Sequence, residues 1–493
     1  MKMDFFSLYK EFRNRLRKYQ PRSIVRKSMD YLWQPVNSKL EELKKCPWQV
    51  LLLVKWALQD PDASDRSGKE ISLGEFHDLR QRLYDFPKRM SLSTPGGLHL
   101  FMRRLLRQQL EFQHRPSQAF VREAALLGEL SMEHPLRLLF REKTGLDPLQ
   151  FVDLAFGVYA AVMENKRTFT TNWFSTLRPG YGNQCIDAFI RGISRDYEEL
   201  MTFCRSIPGD NERRASEFYE STPLKRFPFL RTGANLEYWH PMVFYRGMEG
   251  FVHSVLSEAG QDYIDRFSKL FEGHVLSEIQ RTGCVFFGEE QLRDVIPSEQ
   301  QVPDALISFP DVNVFVESKC GLFDESVMVA GHPKILAHKT KALQTAIAQG
   351  WSASVGLRTA GKASNDVLNA SKDYLLIITN KKLNASRGTT LYQMYPAGKL
   401  DYPCREAEIY LPLQRTYVLS IDDFERLMTV LGKPGFDMPK FLNRCVESDN
   451  DPSTAKFFFE QHLNDSHIPT EYSPLVSQAL DHATERLANA LSS

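Results

Sequence analysis

Residues 302–319 read VPDALISFPDVNVFVESK, and this stretch carries the strongest fold signal in the chain. Two runs rich in apolar and β-favouring residues, Ala305–Phe309 and Val312–Val316, lie on either side of Pro310-Asp311. Pro followed by Asp is typical of a tight turn, and short runs of this composition are typical of strands. The stretch therefore predicts a β-hairpin whose second strand continues towards residue 319.

Three side chains with metal- and phosphate-binding chemistry lie near the open end of this hairpin: Asp304, Glu317 and Lys319. Because strand side chains alternate between faces, Glu317 and Lys319 are expected on one face and Ser318 on the other. A turn centred on Asp311 places Asp304 opposite Ser318, within reach of the face that carries Glu317. The spacing thus predicts that the two carboxylates and the ammonium group converge.

Two carboxylates this close repel each other unless a cation neutralises them. Hard oxygen ligands suit Mg²⁺ or Mn²⁺, and Mg²⁺ is usually held by one or two carboxylates together with waters and substrate phosphate. An adjacent lysine can orient the attacking water and offset charge that grows on a phosphate. Asp304, Glu317 and Lys319 therefore point to metal-dependent hydrolysis of a phosphodiester bond.

The pairing of Pro303-Asp304 with Glu317-Ser318-Lys319 resembles the signature of the PD-(D/E)xK nuclease superfamily. That resemblance implies a restriction-endonuclease-like αβββαβ core with a central mixed sheet. The expected elements of this core occur in the right order, as the helix Gln261–Arg281, the strand Cys284–Phe287, the two strands of the hairpin, the helix Lys334–Gln349 and the strand Tyr374–Thr379. The predicted fold class is α+β, with a helical N-terminal region before this core.

The resemblance also implies that a glutamate on the first core helix joins the metal site. Phe271-Glu272 resembles the Phe-Glu pair of such nucleases, which assigns catalysis and metal binding to Glu272 as well as to Asp304 and Glu317. A helical wheel instead puts Glu278 nearer the centre of the apolar face and Glu272 at its flank. Glu272 is preferred, and Glu278 stays open as its substitute.

Downstream of the hairpin, the chain has no Asp or Glu from Ser326 to Asn365. An acid-free basic run beside paired carboxylates suits a phosphate backbone. The residues predicted to bind a nucleic acid substrate are Lys334, Lys339, Lys341, Gln344, Arg358 and Lys362.

The other regions are assigned by charge and by helical spacing, which is seen for example in Pro148–Met163 and Cys185–Cys204. The chain is divided into a basic helical N-terminal segment, a helical sensor, targeting or regulatory domain, a mixed connector, the nuclease domain and an acidic, partly helical C-terminal segment, with boundaries 1–45, 46–210, 211–250, 251–431 and 432–493.

Net charge, cysteine spacing and the length of apolar runs indicate the cellular compartment. The formal net charge is only +1, so global charge gives no argument for nucleic acid. The seven cysteines are scattered without a C-x-x-C pair, which is typical of reduced thiols in a cytoplasmic protein. No apolar run approaches the length of a membrane span and no signal peptide opens the chain, so we expect no membrane partner.

These features predict a Mg²⁺- or Mn²⁺-dependent endonuclease in the cytoplasm. A nuclease core beside a large helical region resembles single-chain bacterial antiphage defence nucleases, in which such a region senses a phage-derived protein trigger. DNA and RNA, including tRNA, remain open as substrates. Two other interpretations also remain: a degenerate nuclease fold that only binds nucleic acid or protein, and a transposon or recombination endonuclease.

Overall fold

The computed structural model describes residues 4–89, 97–113, 118–164, 166–209, 215–321, 325–359, 370–385 and 387–492. The chain divides into two compact units, and each is assembled from segments that are distant in sequence. The first unit contains Met1–Ser93, Leu105–Glu258 and Pro474–Ser493; the second contains Thr94–Arg104 and Ala259–Ser473. The chain is mixed α+β, as expected.

The helices that begin before residue 257 are α1 Phe5–Leu16, α2 Pro21–Leu32, α3 Lys39–Lys44, α4 Pro47–Gln59, α5 Leu73–Tyr84, α6 Phe86–Arg89, α7 Gly97–Gln113, α8 Arg122–Glu129, α9 Pro135–Thr144, α10 Pro148–Met163, α11 Arg178–Tyr181, α12 Asn183–Ile193, α13 Tyr197–Ser206, α14 Pro241–Glu249 and α15 Phe251–Leu256. Four short strands accompany them, namely β1 Thr168–Thr170, β2 Ser194–Arg195, β3 Phe229–Thr232 and β4 Asn235–Tyr238.

The prediction of one helix over Cys185–Cys204 is wrong, because β2 interrupts it between α12 and α13. Ser194 and Arg195 pair with β3, and they join a mixed sheet of order β1-β4-β3-β2. The predicted connector 211–250 therefore supplies two strands of a sheet that belongs to the first unit. Apart from Thr94–Arg104, which belongs to the second unit, the predicted N-terminal, helical and connector regions are parts of the first unit.

No single described helix is long and apolar enough to cross a membrane. The helices α9 and α10, which meet at 54°, pass that test together by length and composition.

The last helix, α26, spans Pro474–Ser492 and returns to the first unit. Asp153 in α10 is buried, and its carboxylate accepts hydrogen bonds from the Arg486 guanidinium at 2.6–3.1 Å and from the Tyr181 hydroxyl at 3.0 Å. The predicted C-terminal segment 432–493 is thus divided between the two units.

The second unit contains the helices α16 Gln261–Arg281, α17 Glu289–Arg293, α18 Glu325–Met328, α19 Pro333–Lys339, α20 Lys341–Thr359, α21 Gly388–Met394, α22 Arg405–Tyr410, α23 Ile421–Leu431, α24 Met438–Asn450 and α25 Phe459–Asp465. Its strands are β5 Phe286–Gly288, β6 Ala305–Ser308, β7 Val312–Lys319, β8 Lys372–Thr379 and β9 Thr416–Ser420.

These strands form one mixed sheet of order β5-β6-β7-β8-β9. The pairs β5–β6 and β6–β7 are antiparallel, whereas β7–β8 and β8–β9 are parallel. The order of helix, three strands, helix and strand predicted for the core is present as α16, β5–β7, α20 and β8.

Apolar side chains on one face of the sheet pack against α16, α23, α24 and α25. Val312, Val314 and Val316 contribute alternate positions of β7 to this core, as the two-residue period of a strand requires. The core extends through Phe441 and Phe459, beyond the predicted boundary at residue 431.

The opposite face of the sheet packs against α20. Gly350 lets this helix approach β8 closely, because a Cβ atom there would lie 2.8 Å from Leu375 Cδ2. The predicted helix Lys334–Gln349 is two helices, α19 and α20, which are separated at Thr340. The buried Thr340 hydroxyl bonds the Leu336 carbonyl at 2.7 Å and contacts the Tyr395 hydroxyl at 2.5 Å.

Candidate functional site

The β6–β7 hairpin turns at Pro310 and Asp311, where Phe309 and Val312 exchange backbone hydrogen bonds. The register pairs Ala305 with Val316, so the next step places Asp304 beside Glu317. The expectation that Asp304 lies opposite Ser318 is therefore wrong by one residue. The turn is centred between Pro310 and Asp311 rather than on Asp311, which shifts the pairing.

The open end of the hairpin nonetheless brings the predicted residues together. The Asp304 N–H donates to Glu317 Oε2 at 3.3 Å, and Lys319 Nζ forms an ion pair with Glu317 Oε1. Asp304 Oδ2 accepts hydrogen bonds from the Ser318 N–H and hydroxyl, both at 2.6 Å. Two carboxylates and one lysine thus share one end of the sheet.

Glu317 is almost fully buried, with 1% of its surface exposed. Burial and the neighbouring Asp304 raise the pKa of Glu317 to about 7, although Lys319 acts in the opposite direction. A carboxyl group with this pKa holds its charge poorly at neutral pH unless a further cation is present.

Glu272 is half-buried on α16, and burial together with Asp304 raises its pKa. Glu278 belongs to a different group: burial is the main cause of its raised pKa, and its neighbours there are Arg281 and Glu425. Of the two open alternatives, Glu272 is the one whose pKa is raised by the charge of Asp304. The helical wheel was right that Glu278 faces the core, and for that reason it lies among other partners.

A cleft of about 470 Å³ opens in front of these side chains. Its walls include Asp304, Glu317 and Lys319 from the hairpin and Gln349 from α20. Gln349 Oε1 is buried and has no hydrogen-bond partner among the described residues. Gln344 is the glutamine of this helix that the sequence predicts at the site, and Gln349 was not predicted. Its position could have been predicted from the spacing, because Gln349 lies four residues after Thr345 and eight after Lys341, on the same face of the helix.

The other wall of the cleft comes from α17 and the loop that follows it. Arg293 forms an ion pair with Glu289 at 2.5 Å, and both line the cleft. In the loop, Gln300 accepts a hydrogen bond from the Ser352 hydroxyl of α20 at 2.5 Å, which fixes this wall against the helix.

The predicted substrate-binding residues separate into distinct groups. Lys334, Lys339 and Lys341 are exposed on α19 and α20. The Gln344 amide instead donates to the Ala337 carbonyl at 2.5 Å, which bridges the two helices. Lys362 lies outside the described residues.

Arg358 pairs with a carboxylate of the protein and is therefore not available to bind substrate. Its guanidinium forms two hydrogen bonds of 2.6 and 2.9 Å with the Asp373 carboxylate, which is fully buried at the start of β8. Arg358 also stacks on Tyr410, with 4.1 Å from its guanidinium carbon to the ring centroid. We correct its assignment, because this pairing neutralises a buried acid.

Asp311, which also follows a proline, is exposed at the hairpin turn. An eight-residue strand separates the turn from Lys319, a distance of roughly 23 Å at the usual rise of a strand. Asp311 is therefore remote from the candidate site.

The donor atoms available in the cleft fit a hard divalent cation. Asp304 and Glu317 supply carboxylate oxygens, and Mg²⁺ needs only one or two of these. Burial and the neighbouring Asp304 carboxylate raise the pKa of Glu317, so a divalent cation between the two carboxylates would favour the charged form of Glu317. Within the described ranges, however, no group of three or more His, Cys, Asp or Glu side chains is assembled closely enough to hold a metal ion.

Comparisons with protein-family models, curated proteins and solved structures find no match to this chain.

Proposed function

We propose that the second unit is a metal-dependent nuclease that hydrolyses phosphodiester bonds in the cleft of Asp304, Glu317 and Lys319. The observation that supports this most is the buried Glu317, which has a pKa of about 7 and lies beside a second carboxylate and a lysine. Perturbed carboxyl groups of this kind cluster at functional sites. The order of elements around the cleft adds support by its resemblance to PD-(D/E)xK nucleases.

In this proposal Asp304 and Glu317 would hold Mg²⁺ or Mn²⁺, and Glu272 would complete the site directly or through water. The bound cation would act as a Lewis acid towards a phosphate oxygen and lower the pKa of a water molecule. Lys319 would position that water and offset the charge that develops on the phosphate. Ser318 keeps the Asp304 carboxylate in place through its two hydrogen bonds.

The physiological setting belongs to the same proposal. An unregulated nuclease would damage its own cell, so the first unit would repress or target the cleft in antiphage defence. A phage-derived protein is the proposed trigger, and the cytoplasm is the proposed location. Both DNA and RNA remain candidate substrates. A role in transposition or recombination remains an alternative to antiphage defence.

One observation favours a second candidate, a module that binds without catalysis. The Asp304 carboxylate is already occupied by two short hydrogen bonds, and no third metal ligand is assembled among the described residues. Such a module would bind nucleic acid or a protein without cutting.

The test is a cleavage assay of the full chain with Mg²⁺, with Mn²⁺ or with EDTA. Substrates are duplex DNA, single-stranded DNA and total cellular RNA including tRNA. Lys319→Ala is expected to lower the cutting rate at least about 100-fold, since a positioned catalytic group contributes at least that much. The variant should still fold, because Glu317 can take up a proton when its cation is removed.

Lys372→Ala is the matched control, because it removes one exposed lysine from the first position of β8. Equal activity of wild type and Lys319→Ala would refute the site. The same variants are also assayed after addition of an extract from phage-infected bacteria, which would supply the proposed trigger. Absence of metal-dependent cutting with and without this extract would refute the nuclease and leave the binding module.

A further inference from the structure

A row of side chains on α20 leads away from the cleft. Gln349 lines the cleft, and Thr345 and Lys341 precede it at intervals of four residues. Residues four apart on a helix are neighbours on its surface, with Cβ atoms about 5–6 Å apart. Thr345 and Lys341 are exposed, so the row is accessible from the cleft to the start of the helix.

Positive charge accumulates at the far end of this row. Lys341 opens α20, and Lys334 and Lys339 are exposed on the preceding helix, α19. Neither helix contains Asp or Glu. Ordinary solvated helices carry charges of both signs, so exposed lysines on two consecutive helices that contain no acid indicate an anionic partner.

The chemistry of the cleft favours the backbone of that partner over its bases. Unstacked bases are usually held by aromatic side chains. Among the described residues that line the cleft, none is aromatic. Amide groups such as that of Gln349 can donate to phosphate and sugar oxygens.

We propose that Gln349, Thr345, Lys341, Lys339 and Lys334 form a phosphate track that holds the nucleic acid backbone beside the cleft. This inference rests on the proposed nuclease function. Eight residues of helix separate Lys341 from Gln349, which is about 12 Å, or roughly three base steps along one strand of a duplex. The track therefore binds by backbone charge and without sequence preference.

The test measures binding of fluorescein-labelled nucleic acids of about 20 residues to Glu317→Gln protein in EDTA, so that no strand is cut. Probes are duplex DNA, duplex RNA and single-stranded DNA, over a series of KCl concentrations. In this background, changing Lys334, Lys339 and Lys341 together to alanine should weaken binding at least tenfold. The slope of log affinity against log salt should fall by about 2.7 for a duplex or about 2.1 for a single strand.

A matched triple variant replaces Lys372, Lys399 and Lys440, which are exposed elsewhere on the second unit, and thus removes the same charge. Its slope should equal that of the parent protein. A second pair tests the row itself: Thr345→Glu should weaken binding at least tenfold, whereas Thr359→Glu at the other end of α20 should not.

The outcomes separate this inference from the function on which it rests. Equal slopes for the two triple variants would overturn the track. If the wild type cuts nucleic acid and the triple lysine variant binds it as well as its parent, the phosphate track is wrong and the nuclease proposal stands. Lysine-dependent binding with no metal-dependent cutting would support the track and overturn the nuclease.

Discussion

At the scale of single residues, the carboxyl group of Glu317 is subject to opposing influences. Burial and Asp304 favour its neutral form, and Lys319 favours its charged form. In the folded protein the pKa of about 7 lies above the ordinary value of 4.5. The folded state therefore binds this proton more tightly than the unfolded chain does.

This difference predicts a pH dependence of stability. The stability contributed by Glu317 is fully present below about pH 4.5 and is lost as the pH rises towards 7. Glu317→Gln stays neutral throughout, so its free energy of unfolding relative to wild type should rise by up to about 3 kcal/mol between about pH 5 and pH 8. Urea denaturation in EDTA at several pH values measures this, and parallel curves would contradict the prediction.

The two aspartates of the hairpin stretch that follow prolines, Asp304 and Asp311, provide a second prediction at this scale. Asp304→Ala should lower metal-dependent cutting at least about 100-fold, because it removes one of two carboxylates from the cleft. Asp311→Ala should retain wild-type activity, because the residue is exposed at the remote turn. Initial cutting rates and melting temperatures of both variants decide between the two aspartates. Loss of activity in a stable Asp311→Ala protein would show that the wrong one was chosen.

At the scale of elements, a buried polar cluster fixes α20 against β8. The Asp373 carboxylate receives Arg358 and Ser354 from the helix and the Asn313 amide from β7. The pKa of Asp373 is raised by burial, although the hydrogen bonds and ion pair oppose this. The cluster thus aligns the helix that carries Gln349 with the strand that carries Glu317.

Asp373→Ala should lower the free energy of unfolding by about 3–5 kcal/mol, since it breaks a pair with a fully buried acid and leaves the partly buried Arg358 guanidinium without that partner. Its exposed neighbour offers a matched control, and Lys372→Ala should change stability by less than about 0.5 kcal/mol. Chemical denaturation of both variants at neutral pH gives the comparison. Similar stabilities would mean that Asp373 does not align the helix.

Elements were predictable where a local pattern specifies them. Helix Gln261–Arg281 and the hairpin strands follow from side-chain periodicity and turn chemistry, and both are confirmed. The composition of Glu408–Pro412 predicts a short strand, but Arg405–Tyr410 forms helix α22, so that prediction is wrong. Asp422 is a residue type that favours helix caps, and it predicts a helix start at that position. The cap of α23 is instead Ser420, whose hydroxyl accepts the Asp423 N–H at 3.3 Å. Short segments and helix caps offer too few residues for periodicity to decide.

At the scale of the whole molecule, the chain passes from the first unit to the second and returns twice, the second time through α26. Helix α26 packs against α8, α10 and α11, far from its neighbours in sequence. The ion pair between Arg486 and Asp153 accompanies this packing. The sequence of residues 432–493 predicts only an acidic, partly helical segment, and it does not indicate this return to the first unit.

The return of α26 gives a prediction for stability. Arg486→Ala leaves the buried Asp153 with the Tyr181 hydroxyl alone, so the free energy of unfolding should fall by about 2 kcal/mol. Hydrogen exchange should accelerate in α10 and α26. Glu485→Ala, an exposed neighbour on the same helix, should leave exchange unchanged. Unaltered exchange in Arg486→Ala would contradict the role of this ion pair.

The sequence by itself determined the hairpin, the face that Glu317 and Lys319 share and the order of elements around it. These properties follow from turn chemistry and from periods of 2 and 3.6 residues, which act over short distances along the chain. Only the tertiary structure decided that Asp304 pairs with Glu317, that Arg358 binds Asp373, that Gln349 lines the cleft and that α26 returns to the first unit. Each of these depends on which distant segments exclude water together, and a local pattern carries no information about that choice.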